Sequence, residues 1–137
     1  MAYWLVKSEP SSWSWSQQVA KGAKGEAWTG VRNHTAKLNL TKMKKGDQAF
    51  FYHSNEGKEI VGIVEIIREH YPDPSDPSGK FVCVDLKADK PFKTPVTLVA
   101  IKEEKALADM ELIKFSRLSV QHVTADQWKR ICKMGGL

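Results

Sequence analysis

The sequence has little of what marks a secreted, membrane-spanning or disulfide-rich protein. Its only cysteines, Cys83 and Cys132, are too few and too far apart for a disulfide framework or a C-x-x-C metal site, and we expect two reduced thiols. No apolar run approaches the ~20 residues that a helix needs to span a bilayer. The first ten residues lack the basic segment of a secretory leader. These absences predict a cytoplasmic protein.

Short catalytic and metal-binding motifs are also missing. The sequence contains no G-x-G-x-x-G, P-loop, G-x-S-x-G or H-E-x-x-H pattern. Its four histidines, His34, His53, His70 and His122, do not have the spacing of metal ligands, and no pair of carboxylates is placed for acid–base chemistry. We therefore expect no cofactor, no metal ion and no enzymatic activity.

Basic charge and tryptophan are present, and both are unevenly distributed along the 137 residues. The net charge is +5, and residues 21–46 hold seven Lys or Arg side chains against one acid, Glu26. Four of the five tryptophans fall within the first 28 residues. Because cations neutralise phosphates and flat rings stack on bases, this pairing favours a nucleic-acid binder. The alternative is a solvated basic face beside core tryptophans.

The length fits one domain over residues 1–137, and the patterns within it predict an α+β fold. Two capping boxes, Ser14 with Gln17 and Thr124 with Gln127, predict helices over residues 15–20 and 125–134. Short helices are also expected near residues 33–38 and 97–106. Strands are predicted at residues 3–6, 48–53, 60–69, 81–88 and 118–123, the second and third as a hairpin. This set favours a compact, mostly antiparallel, barrel-like sheet with short helices at its rim.

Polar and aromatic residues concentrate where the predicted strands end, in residues 7–10, 28–33, 51–54 and 117–121. Trp28 lies in a glycine-flanked loop beside Arg32 and Asn33, unlike a core tryptophan inside a regular apolar pattern. We therefore predict that Trp28 contacts a ligand, although a core role stays open for it. The tryptophans expected to build the fold are Trp4, Trp13, Trp15 and Trp128.

The same segments carry a family resemblance. Six short motifs occur in order: Tyr3-Trp4-Leu5 with Lys7-Ser8-Glu9-Pro10, Trp28-x-Gly30-Val31-Arg32-Asn33, Phe50-Phe51-Tyr52-His53-Ser54, Gly62-Ile63-Val64, Tyr71-Pro72-Asp73 and Arg117-Leu118-Ser119-Val120-Gln121. Together they resemble the EVE domain of the thymocyte nuclear protein family and its bacterial relatives. The chain is similar to the bacterial stand-alone form, because it lacks a long basic N-terminal extension.

The resemblance implies a PUA-like fold, a small mixed β-barrel of about five to six strands with peripheral helices. It places the chain near the YTH domain, which reads methylated adenine in RNA. It also implies a reader of a modified base, with 5-methylcytosine or a related modified cytosine as the leading ligand, in DNA or RNA. One departure is His34, where the family typically has tyrosine, and another ring at the pocket rim would alter base preference.

For such an aromatic pocket we assign roles to residues of these motifs. A base outside a duplex is held by stacking and by hydrogen bonds along its edge. Trp28 is the candidate stacking wall, with Tyr52 or His53 opposite, and Ser8 and Asn33 are candidate hydrogen-bonding groups. The other pocket candidates are Lys7, Val31 and Ser54, and the candidate phosphate contacts are Arg32, Lys37, Lys42, Lys44 and Lys45.

Four residues are assigned to support of this pocket: Glu9, Arg117, Ser119 and Gln121. Glu9 is expected to pair inside the protein, because a free carboxylate near phosphates would repel them. Arg32 and Arg117 have a competing structural interpretation, in which the guanidinium bridges loop carbonyls or pairs with Glu9.

Two other functions stay open. A PUA-type RNA- or tRNA-binding module would bind without regard to base modification. An ASCH-like amidohydrolase acting on modified nucleosides would use Lys7 with Glu9 to activate a nucleophile, although the sequence shows no complete set of nucleophile, base and orienting group. We expect a nucleic acid with a modified base as the partner, no membrane association, and a monomer.

Overall fold

Six strands form one sheet in the computed structural model, which describes every residue from Met1 to Leu137. In chain order the strands are β1 Tyr3–Ser8, β2 Glu26–Ala27, β3 Gln48–His53, β4 Glu59–Pro72, β5 Val82–Thr97 and β6 Val120–Val123. Their order across the sheet is β2-β5-β4-β3-β1-β6. β1 and β3 run parallel, whereas every other neighbouring pair runs antiparallel.

The α+β class is confirmed, but strand pairing leaves the sheet open where a barrel was predicted. β2 and β6 form its two edges and do not pair with each other. β2 has only two residues, which is too short to extend that edge towards β6. Four register shifts in the β4–β5 ladder and one in the β3–β4 ladder bend the strands locally. The sheet therefore bends without closing.

Five α-helices connect the strands: α1 Trp15–Ala20, α2 His34–Lys42, α3 Leu98–Glu103, α4 Glu111–Lys114 and α5 Ala125–Met134. Single 3-10 turns lie at Gly22–Lys24 and Lys105–Leu107. Both predicted capping boxes form, so α1 and α5 begin and end where the sequence predicts. The Ser14 hydroxyl accepts the Gln17 N–H at 3.2 Å, and the Gln17 side chain accepts the Ser14 N–H at 2.8 Å. None of the helices combines the length and apolar character that crossing a membrane requires.

The hairpin of β3 and β4 is confirmed, whereas β5 extends well beyond its predicted end at residue 88. Most of residues 89–95 are exposed, so these residues lack the apolar alternation that predicts a strand. Pro91 is tolerated because a register shift lies beside its pairing with Gly62, where a ladder hydrogen bond can be spared. Backbone pairing with the long β4, rather than burial, defines this part of β5.

The sheet carries an apolar core on each face. The first, which we call the α2 face, buries Trp4, Val6, Trp28, Leu40 and Phe51, among others. The second, the α5 face, buries Leu5, Phe50, Tyr52, Trp128 and Ile131, among others. Alternation along β3 thus places Phe51 on the first face, and Phe50 and Tyr52 on the second.

Trp15 packs α1 against the sheet on the α2 face, as expected of a fold-building tryptophan. Its ring lies 5.3 Å from that of Phe51, edge to face. Gly62 of β4 makes room for it, since a Cβ added at Gly62 would lie 2.4 Å from the Trp15 ring. This close approach explains in physical terms the glycine of the Gly62-Ile63-Val64 motif.

Candidate functional site

A cavity of about 650 Å³ opens beside the core of the α2 face. Its lining comes from three parts of the chain: the end of β1 with the loop after it, residues 26–33, and Ser119 before β6. Eight of the predicted site or support residues line it: Lys7, Ser8, Glu9, Trp28, Val31, Arg32, Asn33 and Ser119. The volume lies in the range typical of small-molecule sites. The fold thus brings together segments that are far apart in sequence.

A buried carboxylate anchors the loop of residues 28–33. One oxygen of Asp73 accepts the Gly30 N–H at 2.8 Å and the Arg32 guanidinium at 3.1 Å. The other accepts the N–H and the hydroxyl of Ser75, both at 2.7 Å. Burial alone would raise the pKa of Asp73, but the hydrogen bonds from Ser75, Gly30 and Arg32 hold that pKa below its ordinary value. Asp73 is therefore an ionised clamp on the loop.

Sequence reasoning gave Asp73 no role of its own. The available signal was its place in the Tyr71-Pro72-Asp73 motif, but its partners lie about 40 residues earlier in the chain. Gly30 adopts φ 87°, a left-handed conformation that glycine accepts without strain. The turn at Gly30 and the clamp at Asp73 together fix the path of the loop that carries Trp28.

Arg32 makes contacts within the chain that favour its structural interpretation. Its guanidinium donates to Asp73, to the Ser75 hydroxyl at 3.0 Å and to the Val31 carbonyl at 3.1 Å. It also lies 5.5 Å from the centre of the Phe81 ring. The partner carboxylate is Asp73, not the predicted Glu9. Arg32 still borders the cavity, with its side chain 40% exposed.

Trp28 belongs to the core and lines the cavity at once. Only 7% of the residue is exposed, so Trp28 is as buried as a core tryptophan, which the sequence pattern did not predict. Its ring meets Phe51 edge to face at 5.6 Å, and its backbone N–H donates to the Val84 carbonyl at 2.7 Å. The core therefore holds the ring in a fixed orientation at the cavity wall, which lowers the entropy cost of stacking a ligand on it.

The structure does not bring Tyr52, His53 or Ser54 to the cavity. Tyr52 packs into the core of the α5 face, because neighbouring residues of a strand face opposite sides. His53 accepts the Trp15 N–H at 3.1 Å. Burial lowers the pKa of His53, although the negative charge of Glu59 acts to raise it. The Ser54 N–H donates to the Ser8 carbonyl.

The second aromatic ring at the cavity is Trp13, one of the tryptophans that were expected to build the fold. Its indole N–H donates to the Gln18 side chain at 2.9 Å, and its carbonyl accepts the Ser8 hydroxyl at 2.6 Å. These bonds fix the loop between β1 and α1. The Ser8 hydroxyl is consequently committed as a donor and offers a ligand only its acceptor capacity.

Lys7 and Glu9 both line the cavity, but their charged groups have different surroundings. The Lys7 ammonium donates to the Ser116 carbonyl at 2.6 Å, and burial lowers its pKa. The Glu9 carboxylate is exposed and makes no hydrogen bond or ion pair within the chain, so the predicted internal partner is wrong. The Lys7–Glu9 pair of the amidohydrolase alternative does not form.

The cavity offers directional hydrogen-bonding groups and little net charge. The Asn33 side-chain oxygen accepts the Ala36 N–H at 3.0 Å as the N-cap of α2, which leaves its amide N–H groups without a partner. The backbone N–H groups of residues 31–33 also lack partners within the chain. Two cations, Lys7 and Arg32, balance the two carboxylates of the lining, Glu9 and Glu26. An uncharged ligand with polar edges fits such a cavity.

Three of the predicted phosphate contacts lie away from the cavity. Asn33, the N-cap of α2, lies beside it, and the helix ends at Lys42, about 13 Å further along the helix axis. Lys44 and Lys45 follow in the turn before β3, so all three lysines are exposed near the end of β1 opposite Ser8. Lys37, midway along α2, lies 5.8 Å from the centre of the Phe81 ring.

His34, which was expected at the pocket rim, is not part of the cavity lining. Its ring lies 5.6 Å from that of Phe81, at the start of α2. The side chain at position 34 therefore belongs to the helix surface near Phe81 rather than to the cavity wall.

A second cavity of about 440 Å³ adjoins the first and shares Asn33 with it. Its other lining residues are Thr35, Asn39, Glu111, Phe115, Arg117 and Leu118. The buried Gln121 donates to the Phe115 and Leu118 carbonyls at 3.1 and 3.0 Å, which fixes the turn between α4 and β6. No group of three or more His, Cys, Asp or Glu side chains is arranged to hold a metal ion.

The sequence and the fold of this chain are similar to those of known proteins. A family profile described as "EVE domain" matches residues 2–134. Mouse thymocyte nuclear protein 1 is 34% identical over 96% of this chain and 73% of its own length. Rpa0253 of Rhodopseudomonas palustris is 76% identical, with TM-score 0.95, over 99% of this chain and 94% of that one. Human THYN1 in complex with DNA containing 5-methylcytosine is 29% identical, with TM-score 0.94, over 100% and 99%.

A more distant likeness concerns the fold alone. The YTH domain of the Zygosaccharomyces rouxii MRB1 protein, in complex with N6-methyladenosine RNA, has 19% identity and TM-score 0.60 over 99% of this chain and 85% of that one. The prediction of a PUA-like fold related to the YTH domain is thereby confirmed.

Proposed function

Because this chain belongs to the EVE domain family, we propose that it is a nucleic-acid-binding reader that holds a modified base in the Trp28 cavity. The leading ligand is 5-methylcytosine, since the similar human THYN1 is known in complex with DNA containing that base. The observation that carries the proposal is a cavity of small-molecule size whose wall includes a tryptophan fixed by the core.

Stacking on Trp28 supplies the main attraction in this proposal. A base stacked on an aromatic side chain gains roughly 1–3 kcal/mol. The ring is already oriented by Phe51, and Trp13 borders the same cavity, so little ordering is needed when a base enters. The balanced charge of the lining favours a neutral base inside, with the phosphates left outside.

Polar groups of the lining would read the edge of the base. A carboxylate accepts well from the exocyclic amino group of cytosine, and Glu9 is the exposed carboxylate that has no partner in the chain. The free amide of Asn33 and the unpaired N–H groups of residues 31–33 would donate to ring nitrogen and carbonyl acceptors.

The base methyl adds a small increment to this binding. It buries one carbon against aromatic walls, which is worth about 1–2 kcal/mol, as for one methylene in an apolar pocket. The reader would thus prefer a methylated base by roughly 5- to 30-fold rather than reject the unmodified one. The specificity of the site is therefore a ratio to be measured, not a presence or absence of binding.

The test is a titration of the protein with matched single-stranded oligonucleotides at one salt concentration. The set contains DNA with one central cytosine or 5-methylcytosine, and RNA with one central adenosine or N6-methyladenosine. We expect the tightest binding with 5-methylcytosine DNA. Equal affinity for each modified strand and its unmodified counterpart would support the RNA- or DNA-binding module without modification specificity instead.

A further inference from the structure

The turn of residues 115–118, between α4 and β6, presents two large side chains that have no partners in the chain. Phe115 is 53% exposed although it is aromatic. Arg117 is exposed and makes no ion pair or hydrogen bond. Both line the second cavity beside Asn33. An exposed ring and an unpaired guanidinium in one concave surface are the groups that bind a nucleotide in a single strand.

The backbone of this turn is held rigidly despite the exposure of its side chains. The Lys7 ammonium, from the end of β1, donates to the Ser116 carbonyl at 2.6 Å. The buried Gln121 of β6 donates to the Phe115 and Leu118 carbonyls, which lie on either side of Ser116 in the chain. Lys7 also lines the first cavity, so one side chain connects that cavity to the turn. A ligand would therefore meet Phe115 and Arg117 on a turn that is already ordered.

The two cavities are placed to receive consecutive nucleotides. Asn33 lines both, and Leu118 of the second is followed in the chain by Ser119 of the first. The second cavity contains one cation, Arg117, and one carboxylate, Glu111, which accepts the His122 N–H at 3.0 Å. Its balanced charge favours a neutral base within it and leaves Arg117 as the cation beside a linking phosphate.

We propose that the second cavity binds the nucleotide next to the modified one, with its base stacked on Phe115 and with Arg117 donating to the phosphate that joins the two. This inference rests on the proposed function, because it needs the modified base in the Trp28 cavity. It makes the binding unit a dinucleotide rather than a single base.

The experiment uses a short single-stranded DNA with one central 5-methylcytosine, and two copies in which the 5′ or the 3′ neighbour is abasic. We expect one abasic probe, and not the other, to bind wild-type protein roughly 5- to 150-fold more weakly, the range for one base–aromatic stack. Phe115→Ala should bind the intact probe as weakly as wild type binds that abasic probe. Val99→Ala is the matched control, because Val99 is an exposed apolar residue on α3, away from both cavities.

A second arm tests the cation. Arg117→Gln should weaken binding of the intact probe, but not of a probe whose phosphate beside the modified base is replaced by an uncharged methylphosphonate. Lys102→Gln, at an exposed position of α3, should change neither. Tight binding of both abasic probes by the wild type would overturn this inference and leave the proposed function standing. No binding of the intact probe would instead overturn the proposed function.

Discussion

The two faces of the sheet each bury a tryptophan to almost the same extent, yet the two rings have different neighbours. Trp128 on the α5 face is 6% exposed and Trp28 on the α2 face is 7% exposed. Trp128 stacks on Phe50 at 3.9 Å and on Tyr3 at 4.5 Å, whereas Trp28 has one edge contact and a cavity beside it. Exposure alone therefore does not separate a structural tryptophan from a binding one, and the arrangement of neighbours does.

The largest expected effect is on stability, at Trp128. Trp128→Ala removes a ring sandwiched within a closed core and should lower the free energy of unfolding by about 3–5 kcal/mol. Denaturant titration of wild type and variant measures the difference. A loss below about 1 kcal/mol would mean that the stacked aromatic set does not stabilise the α5 face, and the contrast between the faces would fail.

The next effect concerns the clamp that positions the loop on the α2 face. Asp73→Asn removes the charge that holds Arg32 and should cost about 1–3 kcal/mol of stability, together with weaker binding in the Trp28 cavity. Thermal melting and oligonucleotide titration measure the two effects. Ser78→Ala, in the same loop but outside the clamp, is the control.

The pH dependence of this clamp has a definite sign. The pKa of Asp73 is held below its ordinary value in the folded protein, so its contribution is present above that ordinary value and is lost as pH falls through the lowered pKa. Wild type should therefore lose more stability than Asp73→Asn between about pH 5 and about pH 2. Equal losses of stability in the two proteins would show that the charge of Asp73 does not stabilise the fold.

The smallest effect is expected from the lysines at the far end of α2, and it depends on probe length. Replacing Lys42, Lys44 and Lys45 by glutamine should leave binding of a very short oligonucleotide unchanged. For a long duplex containing the modified base, the salt dependence should flatten by up to about 3 in log–log slope, close to one unit per phosphate contact. An equal change with both probes would place these lysines at the cavity. No change in the salt dependence with either probe would mean that other residues contact the phosphates.

Local signals predicted the fold best. The capping boxes at Ser14 and Thr124 lie within one turn of helix, so they defined α1 and α5 without tertiary information. The open edge of the sheet and the extension of β5 depend on long-range pairing with β4, which composition does not reveal. Order within a turn is readable from the sequence, whereas closure of a sheet is not.

The prediction of the candidate site was incomplete for the same reason, because the site depends on contacts between distant segments. Residues of the 7–10, 28–33 and 117–121 segments do meet at one cavity, but the 51–54 segment does not, and Tyr52 packs on the other face of the sheet. The partner of Arg32 could not be assigned either, because the carboxylate that it pairs with, Asp73, lies in a loop about 40 residues away. Trp13 was expected only to build the fold, because its place beside the cavity depends on tertiary structure.

The most direct test of the account compares Trp28→Ala with Trp128→Ala in binding to 5-methylcytosine DNA. Both are measured at a temperature where melting shows the variants to be folded. We expect Trp28→Ala to lose roughly 5- to 150-fold in affinity, the range for one stacking contact, while folded Trp128→Ala binds as tightly as wild type. Equal affinity of Trp28→Ala and wild type would contradict the assignment of Trp28 as the surface on which the base stacks.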